Sequence, residues 1–255
     1  MESSIPEAAA APAFTPDPAQ GRVFTVSRAV RSTDVTPAGR LRLDALARYL
    51  QDAAEDDLAD AGAAESYGWL LRRVALAIRG YPAYGEPVRL RTYCSAIGPR
   101  WAERTTTLTG PDRDLMQATA VWAAVGRADG RPAPLAAAFQ RVYGESAGDR
   151  QVSARLSLPG PPRSLPGRPW PLRATDFDTA RHVNNSVHWA AVEDVLAGLG
   201  WLPARADLDY NRPILTGQQP QLVTSHAEDQ VRAWLLSGPQ RLATAQLARQ
   251  APGPL

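Results

Sequence analysis

Thr175-Asp176-Phe177-Asp178-Thr179-Ala180-Arg181-His182-Val183-Asn184-Asn185 sets two carboxylates, one imidazole and two side-chain amides within eleven residues. A run of residues at steps of three and four follows at once, His188, Ala191, Val192, Val195, Leu196 and Leu199, and Gly200 ends it. That period marks an amphipathic helix. The ionisable groups therefore stand beside a helix N-terminus, where free backbone N–H groups stabilise negative charge. Their spacing is not that of a metal centre. The stretch suits acyl transfer or hydrolysis carried by side chains and main-chain amides, with no cofactor and no metal expected.

The same frame occurs once more. Thr33-Asp34-Val35-Thr36-Pro37-Ala38-Gly39-Arg40-Leu41 parallels Thr175 to Val183 at an offset of 142, position 33 against 175 and 41 against 183. A helical period follows here too, through Leu43, Leu46, Ala47, Leu50, Ala53, Ala54 and Leu58, with Gly62 as the stop. Downstream, Arg73 to Ile78, the turn at Gly85 and the alternating run Val88 to Tyr93 match Arg205 to Tyr210, Gly217 and Gln221 to Val223. The offset there is 132, position 73 against 205, so about ten residues are lost between the helix and this strand. Each half reads as turn, helix, then strands, which is a tandem duplication of one fold unit and not a short-period solenoid.

Further alternation over 101–109, 115–126, 231–237 and 241–249 reads as strands, as do Val23 to Val26 and Trp170 to Arg173. One helix per half followed by strands argues for α+β with antiparallel sheets. Gly144 to Gly167 is rich in Pro, Gly, Ser and Arg, shows no sustained period, and reads as a linker. The expected division is a disordered tail over 1–20, a first unit over 21–143, a linker over 144–168 and a second unit over 169–252.

Composition narrows the function classes. The 255-residue chain is 44% hydrophobic and 21% charged, ordinary for a soluble globular protein. A net charge of +2, with scattered arginines and no aromatic-interleaved basic patch, gives no nucleic-acid signature. Nothing approaches the roughly 20 apolar residues of a membrane span, and the first residues lack a secretory basic region, so no membrane is expected and the cytoplasm is the default. The single cysteine, Cys94, permits no internal disulfide.

Asp176-x-Asp178-x-x-x-His182-Val183-Asn184-Asn185, followed by an aromatic-containing helix, resembles the acyl–acyl-carrier-protein thioesterases, with the closest likeness to a bacterial, actinobacterial-like branch. Gln51-Asp52-Ala53-Ala54 and Trp69-Leu70-Leu71-Arg72-Arg73 are further points of likeness, and the resemblance spans about residues 22 to 250. It implies a tandem (double) hot-dog, two long central helices wrapped by antiparallel sheet, with the active site between the halves and the acyl chain in an apolar tunnel. It implies hydrolysis of fatty acyl thioesters, foremost those on acyl-carrier protein, by a monomer or a homodimer. The alternatives are an acyl-CoA thioesterase, a hot-dog dehydratase, and a catalytically silent acyl-thioester binder. The likeness has two gaps. The family's asparagine position holds Ala180, and its glutamate position, after a Tyr-Arg-Arg string, falls on Pro213 in Tyr210-Asn211-Arg212-Pro213. Asp178 and His182 remain as the catalytic candidates.

Each candidate also has a structural reading. Asp176 recurs as Asp34 and suits a loop cap. Asp178 and His182 are replaced by Thr36 and Arg40 in the first half, so one competent site per chain is expected. Asn184 and Asn185 support the helix N-terminus, with Asn185 or Ser186 as the N-cap. His188 reads as an interior residue. Glu193 and Asp194 read as a solvated helix surface, with water activation by Glu193 as the alternative.

Overall fold

A computed structural model describes residues 14–63, 68–127, 129–162 and 165–249. The first unit comprises β1 (Phe24–Ala29), α1 (Leu43–Asp60), β2 (Gly68–Ile78), β3 (Pro87–Ile97), β4 (Trp101–Thr109), β5 (Asp114–Val125) and α2 (Ala137–Ala147). The second comprises β6 (Gly167–Pro169), α3 (Asn185–Leu196), β7 (Pro203–Tyr210), β8 (Gln221–His226), β9 (Gln230–Ser237) and β10 (Gln240–Arg249). The ten strands form one sheet in the order β1-β3-β4-β5-β2-β7-β10-β9-β8-β6. Every pairing in it is antiparallel.

That order reads the same from either edge once β1 to β5 are matched with β6 to β10. The join is the β2–β7 pair, where Ala75 faces Asp207. Those two positions are the ones the offset of 132 makes equivalent, so a local twofold passes between them. The connecting loops repeat as well: bridges Val35–Leu41 and Arg40–Ala83 recur as Phe177–Val183 and His182–Leu215. This is the α+β tandem hot-dog.

Helices α1 and α3 pack against each other on one face of the sheet. Leu43, Leu46, Tyr49 and Ala53 from α1, Trp189, Val192 and Leu196 from α3, and Leu71, Val74, Leu76 and Leu208 from the central strands share one core. The apolar stripes seen in the sequence face inward, and burial of each such side chain is worth about 1.5–3 kcal/mol.

The opposite face is strapped by chain without helix or strand. Thr15 exchanges two hydrogen bonds with the side-chain amide of Gln117, at 2.8 and 2.7 Å. Tyr93 donates to the Pro16 carbonyl and Arg91 pairs with Asp17. The tail expected to be disordered through residue 20 is therefore docked from Thr15 to Asp17, while residues 1–13 lie outside the described ones. The segment after α2 behaves likewise: Asp209 accepts the N–H groups of Ser157 and Leu158, and the Trp234 indole donates to the Pro159 carbonyl. Low periodicity rules out helix and strand, but it does not rule out docking when buried polar side chains need main-chain partners.

Helix α2 departs from the expected linker start at 144. Phe139, Tyr143 and Ala147, at steps of four, pack with Ala63, Cys94, Ile97 and Ala102 in a second, smaller cluster. Beside it Asp57, wholly buried, is bracketed by Arg22 and Arg104, each at 2.6 Å. The strand expected near Trp170 to Arg173 lies at Gly167–Pro169 instead. Trp170 turns into the core, its indole donating to Asp194 at 3.2 Å. No helix among the described residues is long and apolar enough to cross a membrane.

Candidate active site

The segment Thr175–Asn185 opens on a single 3-10 turn, Ala174–Asp176. Asp176 is buried, and its two oxygens accept from the Arg173 main-chain N–H (2.7 Å) and the Arg173 guanidinium (3.0 and 2.7 Å). Asp34 accepts from the Arg31 N–H in the same way. These two aspartates are architectural.

Asp178 follows in a tight loop. Its N–H donates to the His182 carbonyl at 2.8 Å, and its Oδ1 accepts from the N–H groups of Ala180 (2.9 Å) and His182 (3.1 Å). The carboxylate is thereby fixed by main chain through one oxygen. The other, Oδ2, has no hydrogen-bond partner among the described residues. Ala180, at the family's asparagine position, thus acts through its main chain. Pro213 is exposed. Arg181 holds the loop in the left-handed region at φ 60°, where its equivalent, Gly39, sits at 81°.

The carbonyl end of this loop leads into α3. Asn184 is the N-cap, its Oδ1 accepting from Ser186 N–H (2.9 Å) and Ser186 Oγ (2.8 Å), so the cap lies one residue earlier than Asn185. With its oxygen committed, the Asn184 side chain is a structural support. Asn185 is the first helical residue. Its carbonyl accepts from the Tyr210 hydroxyl at 3.1 Å, which anchors the first turn. Its main-chain N–H is one of the donors that a helix leaves unpaired, and it has no partner among the described residues. His188 is buried against Tyr210 with ring centroids 5.0 Å apart, and burial pushes its imidazole down to about 4. It is an interior, neutral group.

A cavity of about 940 Å³ opens along α1 between the two units. Asp178, Thr179, Ala180 and Asn185 supply one wall; Gln51, Leu58, Trp69, Trp122 and Phe139 are among those on the other. The volume lies at the upper end of small-molecule pockets. Asn185, Gln51 and Trp122 also border a narrow crevice of about 30 Å³ that runs under α1 between Leu50, Leu71, Val74 and Trp189. The roomy cavity and this crevice meet at Gln51, Arg104, Trp122 and Asn185. His182 does not line the cavity. Its imidazole makes no hydrogen bond or ion pair among the described residues, and its links to Asp178 are its backbone N–H and carbonyl.

The twofold-related place in the first unit is occupied. Arg40, equivalent to His182, grips Glu193 of α3 through two hydrogen bonds of 3.1 and 2.6 Å. Glu193 Oε1 accepts the N–H of Leu43, the equivalent of Asn185, at 2.6 Å. A carboxylate oxygen thus sits on the first amide of α1, while the first amide of α3 has no such partner among the described residues and its residue, Asn185, lines the cavity. Glu193 is therefore not the solvated surface residue expected: it is buried, and both its carboxylate oxygens are committed to Arg40 and the Leu43 N–H. Gln51, noted in the sequence only as a point of family likeness, lines the same cavity as Asp178 and Asn185 and shares the narrow crevice with Asn185. The offset of 142, which pairs position 51 with position 193, was the signal that marks it.

The comparisons agree with this architecture. Residues 21–143 match the acyl-ACP thioesterase N-terminal domain and residues 166–237 the C-terminal domain of the same family. An uncharacterised protein of Mycobacterium tuberculosis is 29% identical over 235 residues, 91% of this chain and 94% of that protein. Among solved structures, the 12:0-ACP thioesterase from Umbellularia californica superposes with a TM-score of 0.78 at 18% identity, covering 91% of this chain and 99% of the other. An acyl-ACP thioesterase from Bacteroides thetaiotaomicron does so with a TM-score of 0.77 at 16% identity, covering 89% and 97%. At those identities the structural likeness is one of fold, and the assignment rests on the two domain matches. The chain is a thioester hydrolase belonging to the acyl-ACP thioesterase family.

Proposed function

We propose that this protein releases fatty acids from acyl-carrier-protein thioesters at one site per chain, with Asp178 as general base and the Asn185 N–H as oxyanion donor. The observation that carries the reading is the asymmetry of the duplication. Asp178, with one carboxylate oxygen unpartnered among the described residues, and Asn185, whose N–H likewise has no partner among them, line one cavity, whereas the twofold-related amide of Leu43 is covered by Glu193.

Asp178 Oδ2 takes a proton from a water molecule as the water oxygen bonds to the thioester carbon. The carbonyl π electrons move to oxygen, which the Asn185 N–H holds as it becomes negative; one such donor contributes about 2.7–4 kcal/mol of barrier lowering. Collapse re-forms the carbonyl and breaks the C–S bond, and the departing thiolate recovers the proton from Asp178. His182 serves through its backbone N–H, which fixes Asp178 Oδ1. The chain's arginines can dock either an acidic carrier protein or the phosphates of coenzyme A, so the carrier reading is supported by the family match.

The test is release of free thiol from acyl-ACP and acyl-CoA substrates. A higher kcat/KM on acyl-ACP supports the carrier assignment, and the reverse makes the enzyme an acyl-CoA thioesterase. Asp178→Asn is expected to lower kcat/KM at least about 30-fold, or 2 kcal/mol, with the fold intact. Undiminished turnover in that variant rejects Asp178 as base.

A further inference from the structure

Position 51 is related to position 193 by the same offset of 142 that relates Leu43 to Asn185 and Arg40 to His182. Glu193 reaches from the middle of α3 to the first amide of α1, at 2.6 Å. The local twofold gives residue 51 of α1 the corresponding reach to the first amide of α3. That residue is Gln51, which borders both the large cavity and the narrow crevice beside Asn185. Its Nε2 is engaged at 3.1 Å with Glu55, an exposed neighbour one turn on.

Resting on the reading that Asp178 and Asn185 form the site, we infer that Gln51 is a further catalytic residue, a second oxyanion donor supplied by the opposite unit. A side chain that can touch an amide can touch an oxygen bound to that amide. With the thioester oxygen on Asn185 N–H, Gln51 Nε2 leaves Glu55 and donates to the same oxygen from the other side. Both hydrogen bonds strengthen as that oxygen becomes negative.

The chemistry of the two positions follows from what each must do. Glu193 carries a charge, takes the Leu43 amide for itself and is neutralised by Arg40. Gln51 is neutral and has a donor to offer, and the position equivalent to Arg40 is His182, so no guanidinium is present to hold an acid over the Asn185 amide. The changes at 51 and 182 together separate an open site from a filled one.

Gln51→Leu removes the donor while keeping an apolar wall of similar size. It is expected to lower kcat on a dodecanoyl thioester by about 10²–10³, the loss typical of one oxyanion donor. KM should stay within about threefold, because the bond forms chiefly in the transition state. A residue that only lines the cavity moves KM and spares kcat. Gln51→Glu is expected to lose turnover as well, its carboxylate taking the Asn185 amide as Glu193 takes that of Leu43. Gln51→Glu with His182→Arg should be inactive yet unfold at or above the wild-type urea midpoint, since it rebuilds the filled arrangement. If Gln51→Leu folds poorly, this double variant carries the test. Asp178→Asn serves as the control. A Gln51→Leu kcat within about threefold of wild type, with Asp178→Asn inactive, overturns the role of Gln51 and leaves the base in place. Full turnover in Asp178→Asn overturns both.

Discussion

The filled site in the first unit makes a prediction about stability that is separate from catalysis. Arg40 and Glu193 join the two units through an ion pair whose side chains are only 16% and 10% exposed, so solvent screens it little. Glu193→Leu leaves the Arg40 guanidinium over the Tyr81 ring, 5.0 Å from its centroid, with no counter-charge, and it frees the Leu43 N–H. Breaking a buried pair from one side costs about 3–5 kcal/mol. Arg40→Met, which strands the carboxylate, should cost about 3 kcal/mol by the same reasoning. The double variant removes both charges and leaves an unpaired amide, a penalty of about 1–3 kcal/mol. The two single losses should therefore sum to more than the double, with a coupling of about 3 kcal/mol or above. Urea unfolding followed by tryptophan fluorescence measures all four corners of the cycle, and thiol release measures turnover on the same samples. Turnover per folded molecule should be unchanged in Glu193→Leu. A loss below about 1 kcal/mol in that variant refutes the buried-pair reasoning, and a folded but inactive Glu193→Leu refutes the purely structural role of the first-unit site.

Other consequences can be measured on single variants. Arg181→Gly should gain about 1 kcal/mol, raising the melting temperature by roughly 2–4 °C, because a side chain is strained at φ 60° where glycine is not; an unchanged or lower melting temperature contradicts the loop geometry. The reciprocal Gly39→Ala should cost about as much through conformation alone, since a Cβ there meets nothing within 4 Å. Burial holds His188 at about 4, against 6.5 for a free imidazole. The unfolded chain therefore binds a proton that the folded chain refuses between those values. Its stabilisation is complete above pH 6.5 and lost as pH falls towards 4, by about 3 kcal/mol at the lower end. Urea unfolding at pH 7 and pH 4.5 should show a shallower pH dependence for His188→Gln than for wild type; equal slopes rule out a buried neutral imidazole.

Much of the architecture is legible in the sequence because it is written twice. The offsets of 142 and 132 locate both helices and the central strand of each unit, whereas the register that sets Ala75 opposite Asp207 is known only from the structure. Periodicity finds most of the strands for the usual reason that one face is buried. Helix α2 is harder to see. Phe139, Tyr143 and Ala147 carry the step of four, but Gly144 lies in mid-helix, a position that costs about 1 kcal/mol and reads locally as a break. The packing of α2 against Cys94, Ile97 and Ala102 overrides it. The straps at Thr15 to Asp17 and Val152 to Pro159 have no period to read, since their partners are side chains distant in the chain.

The site divides the same way. Asp176, Asp178 and the helix start at Asn184–Asn185 are local, so the motif reveals them, although the cap falls on Asn184. The roles of Glu193 and Gln51 depend on contact between the two helices across the duplication. Glu193 reads as surface because its partners, Arg40 and Leu43, are about 150 residues away. His182 shows the converse limit. Proximity in sequence to Asp178 suggests an imidazole–carboxylate pair, whereas the loop joins them through the main-chain N–H and carbonyl of His182.

The most direct measurement is a crystal structure with a non-hydrolysable acyl thioether ketone analogue bound. The ketone oxygen should lie about 3 Å from the Asn185 nitrogen, with the Asp178 carboxylate or a water held by it facing the adjacent carbon. An analogue bound elsewhere, with its oxygen remote from Asn185 and Asp178 screened from it, contradicts the single-site account.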